Sequence, residues 1–363
     1  MHADQVLAFR LARLGLAGGR DRRPLAEAAA CPASAFARDA DLLAVAARRD
    51  GLTRREYDEA IDRGELVLAH IVRGAIHVLR PGDHELFGRA LVGTTDPELV
   101  AQIGHKFGAS TATGLAPRDA LEEVTTATED ALAGGRALTK DDLHEELRSR
   151  VRAELLPWCE GCGSHHVPPK LWRYATIKAG ARLDSARRYV LGKPERTPPA
   201  AEALRRFLRF YAPATPADFA AWAGVTGSHA SRIWQGVEGE LAETTVGRRK
   251  AWLLRDDAAE LHAPPEAEGI RLIPPGDPYL ATPNRALLAP DAELRKRLFR
   301  PVASPGVVLR DGRLAGLWRV KARGKATEVS VEKLGRVARA QLEPEAERIA
   351  KLRGASELAL VIG

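Results

Sequence analysis

Three stretches of the chain repeat one pattern, a polar start signal followed by apolar residues at helical spacing. Thr53-Arg-Arg-Glu56 opens LTRREYDEAIDRGEL, Thr139-Lys-Asp-Asp142 opens LTKDDLHEELRSRV, and Thr215-Pro216-Ala-Asp218 opens TPADFAAWAGVTG. In each, a threonine hydroxyl can accept a free backbone N–H, and an acid three residues on answers the cap and the helix dipole. Pro216 adds a residue suited to the first helical position. The continuations are also alike. ELVLAHIVRGAIHVL is expected to form a helix leading into β-type residues that end at Arg80-Pro81. VPPKLWRYATIKAGARLDSARRYVLG predicts a helix over Pro169 to Gly180 and a strand pair closing near Leu191. SHASRIWQGVEGELAETTVGRRKAWLL predicts a helix over His229 to Val237 and a hairpin turning at Val246-Gly247-Arg248. Helix, turn, helix and two-stranded hairpin is the order of a winged helix; the plainer alternative is three unrelated helix–hairpin pieces.

Pro194–Ala200 is rich in proline and charge and reads as a linker, and Ala263-Pro264-Pro265 marks a second boundary. Beyond it the pattern changes. IRLIPPGDPYL predicts a buried strand and a Pro-Gly turn. PGVVLRDGRLAGLWRVKARGKATEVSVEKL alternates with period two, with Asp311-Gly312 and Arg323-Gly324-Lys325 where hairpin turns belong. EPEAERIAKLRGASELALVI predicts a helix and a short strand. The expected fold class is α+β: winged helices over 1–110, 111–193 and 194–263, then a β-rich α+β domain over 264–363.

Composition narrows the function classes. Of 363 residues, 45% are hydrophobic and 28% charged, which excludes a disordered or fibrous chain. Lys+Arg number 55 against 48 Asp+Glu, a net charge of +7 compatible with nucleic acid. No apolar run reaches the ~18–20 residues of a membrane span. The N-terminal MHADQVLAFRLARLGLAG lacks the unbroken apolar core and cleavage site of a signal peptide. Three cysteines make no disulfide framework, so a cytoplasmic protein without a membrane partner is expected.

Together these segments resemble the AlkZ-like alkylpurine DNA glycosylases of the bacterial winged-helix superfamily. VLAFRLARLGL is similar to that family's first helix, HIVRGAIHVLRPGDHELF to its Arg-Gly-x-x-His strand, and YAPATPADFAAWAGVT to its third winged helix. LIPPGDPYL and VLRDGRLAGLWRV resemble its C-terminal domain. The resemblance implies three tandem winged helices and a β-rich domain forming a basic cradle for duplex DNA. It also implies a Gln-aliphatic-Gln or Gln-aliphatic-Asp motif that orients or activates the attacking water. Here those positions fall on Pro32-Ala33-Ser34 or Ser34-Ala35-Phe36, and no Gln occurs between Gln5 and Gln102. Ser34 can hold a water. Asp39 and Asp41 are the nearby carboxylates able to act as a base if the helix is displaced, or else ordinary acids at a helix start. Phe36 either fills the pocket or wedges against a base.

Cys159-Glu-Gly-Cys162-Gly-Ser-His165-His166 is the sharpest local constellation. Cys159, Cys162, His165 and His166 could supply four tetrahedral ligands for a structural zinc ion, with Gly161 and Gly163 allowing a tight knuckle. The alternative is a reduced loop with ordinary side chains. No other cofactor is expected. Arg73 and His77, four apart on the expected wing strand, should share one face. There they would contact DNA, or else form a buried ion pair and a satisfied core imidazole. Arg54, Arg55, Arg187, Arg188, Arg248, Arg249 and Lys250 stand at helix starts or wings, where cations neutralise phosphates without reading sequence, or are solvated surface charges. Trp222, Trp234, Trp252 and Trp318 are expected core anchors.

The leading expectation is therefore a monomeric winged-helix protein on a DNA-glycosylase-like scaffold that binds duplex DNA through phosphates. The alternatives are a glycosylase removing alkylated purines, in base-excision repair or in self-resistance to an alkylating compound, and a non-catalytic protein-interaction scaffold.

Overall fold

The computed structural model describes residues 1–104, 115–193, 195–281, 283 and 285–363. The expected boundary at 110/111 and Pro194 of the expected linker lie outside the described residues. The protein is mixed α and β, and the chain divides into two compact units: 1–60 with 206–215 and 240–363, and 61–205 with 216–239.

The first unit is built on a five-stranded sheet ordered Ile270–Ile273, Gly306–Arg310, Arg313–Arg323, Ala326–Lys333, Glu357–Ile362. The first three pairings are antiparallel and the last is parallel. Both expected turns close hairpins, at Asp311-Gly312 and Gly324-Lys325. A parallel partner needs a crossover, which the helix Arg339–Leu352 supplies. Trp318 is buried in this sheet and donates its indole N–H to the Ile273 carbonyl at 2.8 Å. The same unit holds the hairpin Leu241–Val246/Arg249–Leu254, whose two-residue turn places Gly247 at φ +61°.

Below the surface the first unit is held by charged clamps. Arg48 and Asp277 form a buried bidentate pair at 2.7 and 2.9 Å, and Arg48 also donates to the Leu14 and Ala44 carbonyls. Asp277 is the acid of the Asp-Pro-Tyr-Leu segment, and its second role is to accept the Tyr279 N–H at 2.8 Å. Buried Arg10 donates to the carbonyls of Ala212, Pro213 and Pro283.

In the second unit, Val67–His70 pairs antiparallel with Ile76–Leu79 and with Ala181–Leu183, which pairs with Tyr189–Leu191. The long helix Pro117–Leu132 packs on Pro169–Lys178. The first two start signals cap as expected: Thr139 Oγ1 accepts the Asp142 N–H at 3.2 Å, and Thr53, in the first unit, caps the Glu56 N–H at 3.1 Å. The second and third helices of the repeats run over Pro169–Lys178 and Gly227–Gln235. Trp222 and Trp234 are buried, while Trp252 is half-buried.

One expectation fails. The helix anticipated after Glu65 is instead the strand Val67–His70, buried along its whole length. It is central in its sheet, with strands on both edges and the helices Pro169–Lys178 and Asp83–Phe87 packed against it, so the buried apolar run shows no alternation. A short unbroken apolar run does not distinguish strand from helix.

Candidate nucleic-acid interface and motif loop

The loop that should carry the water-orienting residue runs through the short strand Ala33–Ser34 to the helix Ala40–Ala46. Its backbone is pinned by the Ser34 N–H, which donates to the Gly276 carbonyl at 3.1 Å. Gly276 has φ +83°, and a Cβ there would stand 3.1 Å from that of Ser34, so the loop depends on this glycine. Ser34 Oγ accepts the Phe36 N–H at 3.4 Å. Phe36 itself is 85% exposed, so it fills no pocket.

The two carboxylates are committed. Asp39 adopts φ 62°, a left-handed conformation that aspartate tolerates better than most residues. One oxygen accepts from Arg54, and the other from Arg353 at 2.7 Å. Asp41 is buried and accepts the Tyr57 hydroxyl at 2.9 Å. A base must reach the water it activates with lone pairs to spare. Here both oxygens of Asp39 meet guanidinium groups, and Asp41 lies inside the protein. Arg38, Arg319 and Arg353 line a cleft of about 250 Å³ beside this loop, with Trp318 among its walls. Burial and the neighbouring Arg300 and Arg297 push the Arg319 guanidinium below its ordinary pKa. Both Arg300 and Arg319 donate to the Ala303 carbonyl. This cluster was not singled out from the sequence, although the run Arg295-Lys-Arg-Leu-Phe-Arg300 signals it.

The expected shared face of Arg73 and His77 is not formed. Arg73 is exposed at φ 60° in the turn Val72–Gly74 between strands, while His77 lies on the strand Ile76–Leu79. His77 is buried, and its Nδ1 pairs with the Ala75 carbonyl at 2.9 Å. Burial lowers its pKa to about 4, so it is a neutral core imidazole. Even spacing along an expected strand cannot reveal the turn that interrupts it.

The remaining cations divide by engagement. Arg188 pairs with Asp184 at 2.7 Å, Lys250 with Glu243 at 3.0 Å, and Arg249 donates to Thr215 Oγ1 at 2.9 Å. Arg54 holds Asp39, whereas Arg55 is largely exposed with Glu59 at 3.8 Å. Arg187, at φ 62°, and Arg248 are exposed in turns.

Around Trp158–Cys159/Ser164–His165, a two-stranded knuckle, the structure brings together Cys159, Cys162 and His166, whose ligand atoms lie within 4.8 Å of one another. His165 is not brought into this group: it is exposed, its Nδ1 pairs with the Leu156 carbonyl at 2.8 Å, and its ring packs against Trp158.

The comparisons with known proteins agree with this architecture. A family model described as DNA glycosylase AlkZ-like matches residues 36–352. The chain belongs to the AlkZ-like DNA glycosylase family. It is 30% identical over 298 residues to a protein of Streptomyces sahachiroi named interstrand DNA cross-link repair glycosylase, covering 77% of this chain and 76% of that one. It is also similar to the solved structure of Streptomyces sahachiroi DNA glycosylase AlkZ, with TM-score 0.77, 24% identity and full coverage of both chains. Family membership supports DNA binding and DNA repair as the setting. Among the described residues, no helix is long and apolar enough to cross a membrane.

Proposed function

We propose that this protein binds duplex DNA as a cytoplasmic monomer on its glycosylase-like scaffold, chiefly through phosphates, and excises alkylated purines slowly. The observation that carries this reading is the motif loop. On the family resemblance, Pro32, Ser34 or Phe36 stands where a water-orienting Gln or Asp is expected, and the adjacent Asp39 and Asp41 are tied to Arg54, Arg353 and Tyr57. The tandem winged-helix reading is supported by the second and third repeats, where two helices lead into a hairpin; in the first, the helix Arg54–Asp62 leads straight into the hairpin Val67–His70/Ile76–Leu79. The exposed Arg55, Arg187 and Arg248 suit phosphate contacts that carry no sequence information.

A second reading, an active glycosylase, is favoured by the 30% identical relative named interstrand DNA cross-link repair glycosylase. It requires Ser34 alone, or a rearrangement that frees Asp39 or Asp41, to position water.

The binding half of the proposal is tested by fluorescence anisotropy on a labelled duplex across a salt series. The expected log K falls linearly with log salt, and Arg248→Ala reduces the slope by about one phosphate contact. A slope near zero removes the DNA-binding claim and leaves the protein-interaction scaffold.

A further inference from the structure

We propose that Cys159, Cys162 and His166 bind a structural zinc ion, with His144 completing the tetrahedron. This site is independent of the motif loop and of whether the protein excises bases.

The knuckle is shaped for it. Cys159 and Cys162 stand at the ends of a turn in which the Cys162 and Gly163 N–H groups both donate to the Cys159 carbonyl, at 3.2 and 2.8 Å. Gly163 closes the turn at φ +59° with open space around it. Two thiols separated by two residues across such a turn can reach one metal at the Zn–S distance of about 2.3 Å. His166, just beyond the second strand of the knuckle, supplies the third ligand.

The tautomer of His166 is set by its surroundings. Nδ1 lies 2.8 Å from the Val167 carbonyl, an acceptor that requires the proton there. Nε2 is then the unprotonated nitrogen; it is buried and, among the described residues, its near neighbours are the Cys159 and Cys162 sulfurs. A metal-ligating imidazole commonly donates its other N–H to a carbonyl in this way. A buried lone pair without a donor is costly unless a ligand uses it.

His144, on the helix Lys140–Arg148, provides the fourth position. Its ring centroid is 5.4 Å from that of His166, and its Nδ1 is buried without a hydrogen bond among the described residues. Two imidazoles on one tetrahedral zinc, with Zn–N near 2.0–2.1 Å, place their centroids about 5 Å apart. His144 is therefore assigned as the fourth ligand; its ring, packed 4.6 Å from that of Trp172, has to turn to join the group formed by the other three. His165, adjacent in sequence, is held away by Leu156 and Trp158. The ligands then come from a helix and a knuckle, which the ion would staple together.

The test uses the full chain purified without a metal-binding tag. Elemental analysis is expected to find one zinc per chain. Replacement by Co²⁺ is expected to give tetrahedral d–d absorption and a near-ultraviolet thiolate-to-metal band from two sulfurs. Cys159→Ser, Cys162→Ser and His166→Asn should each lower metal affinity by at least ~100-fold and His144→Asn by at least ~10-fold, whereas His165→Asn should bind as wild type. A wild-type chain that is folded, lacks zinc and gives no thiolate-to-Co²⁺ band overturns the site, and this measurement needs no variant. Loss of binding in His165→Asn, or wild-type affinity in His144→Asn, overturns the ligand assignment.

Discussion

Between Cys31 and Asp41 the reactive groups already meet protein partners: Asp39 two arginines, Asp41 the Tyr57 hydroxyl, and Ser34 Oγ the Phe36 N–H. Between Cys159 and His166 the reactive groups instead face one another, with two thiols outside any disulfide and an imidazole nitrogen within 4.8 Å. Both stretches drew attention for carrying catalytic or ligating residue types at short spacing. Their surroundings separate them. Asp39, met on both oxygens by guanidinium groups, and Asp41, buried and bonded to the Tyr57 phenol, are structural groups, whereas ligand atoms of three side chains that converge on one point are poised for a metal ion.

The most damaging way to disturb the first region is through its foundation. Asp277→Ala leaves Arg48 charged, buried and without its carboxylate, next to the glycine on which the motif loop rests. Breaking such a pair typically costs about 3–5 kcal/mol. Thermal or denaturant unfolding should show this loss, and a loss under ~1 kcal/mol would mean that the clamp is not what holds the loop.

A smaller effect is expected at Asp41. Tyr57→Phe removes one hydrogen bond to a buried carboxylate, for which about 1.5–3 kcal/mol is typical. The variant should be less stable yet bind duplex DNA with unchanged affinity. Weakened binding with unchanged stability would place Asp41 in the DNA interface and make the motif loop a ligand site like the knuckle.

The pH dependence of stability should be gentler still. Burial lowers His70 to about 3 and His77 to about 4, against 6.5 in the unfolded chain. Between pH 6.5 and 4 the unfolded state therefore binds more protons at these sites, and stability falls as pH drops through that window. Asp83 works against this trend, because burial raises it to about 7 and the folded state takes up its proton first. The melting temperature should decline from pH 6.5 to 4.5, with a steeper decline in Asp83→Asn. A flat profile, or a shallower one in that variant, would contradict the assigned burial.

The legible parts of this molecule were those whose cause is local. Threonine caps, the Val246-Gly247-Arg248 turn and the alternation over 306–333 depend on residues a few positions apart, and they form where the sequence places them. The strand Val67–His70 is not legible locally because its strand and helix neighbours include Ala181–Leu183 and Pro169–Lys178, about a hundred residues away. The commitment of Asp39 was hidden for the same reason: Arg353 lies 314 positions along the chain. Within the knuckle, adjacency suggested His165 beside His166. In a strand adjacent side chains point to opposite faces, so the candidate that meets His166 is His144, from a helix earlier in the chain.

The central claim is that the motif loop lacks a free water-activating group, and single-turnover release of N7-methylguanine from alkylated duplex tests it most directly. Losing such a group typically removes about 10²–10⁴-fold of rate, while the positive charge of the lesion leaves a weak residual reaction. The account predicts slow release, little changed in Ser34→Ala, Asp39→Ala and Asp41→Ala variants that still fold, with DNA binding retained. Fast release abolished by one of these substitutions would contradict it and identify the residue that activates water.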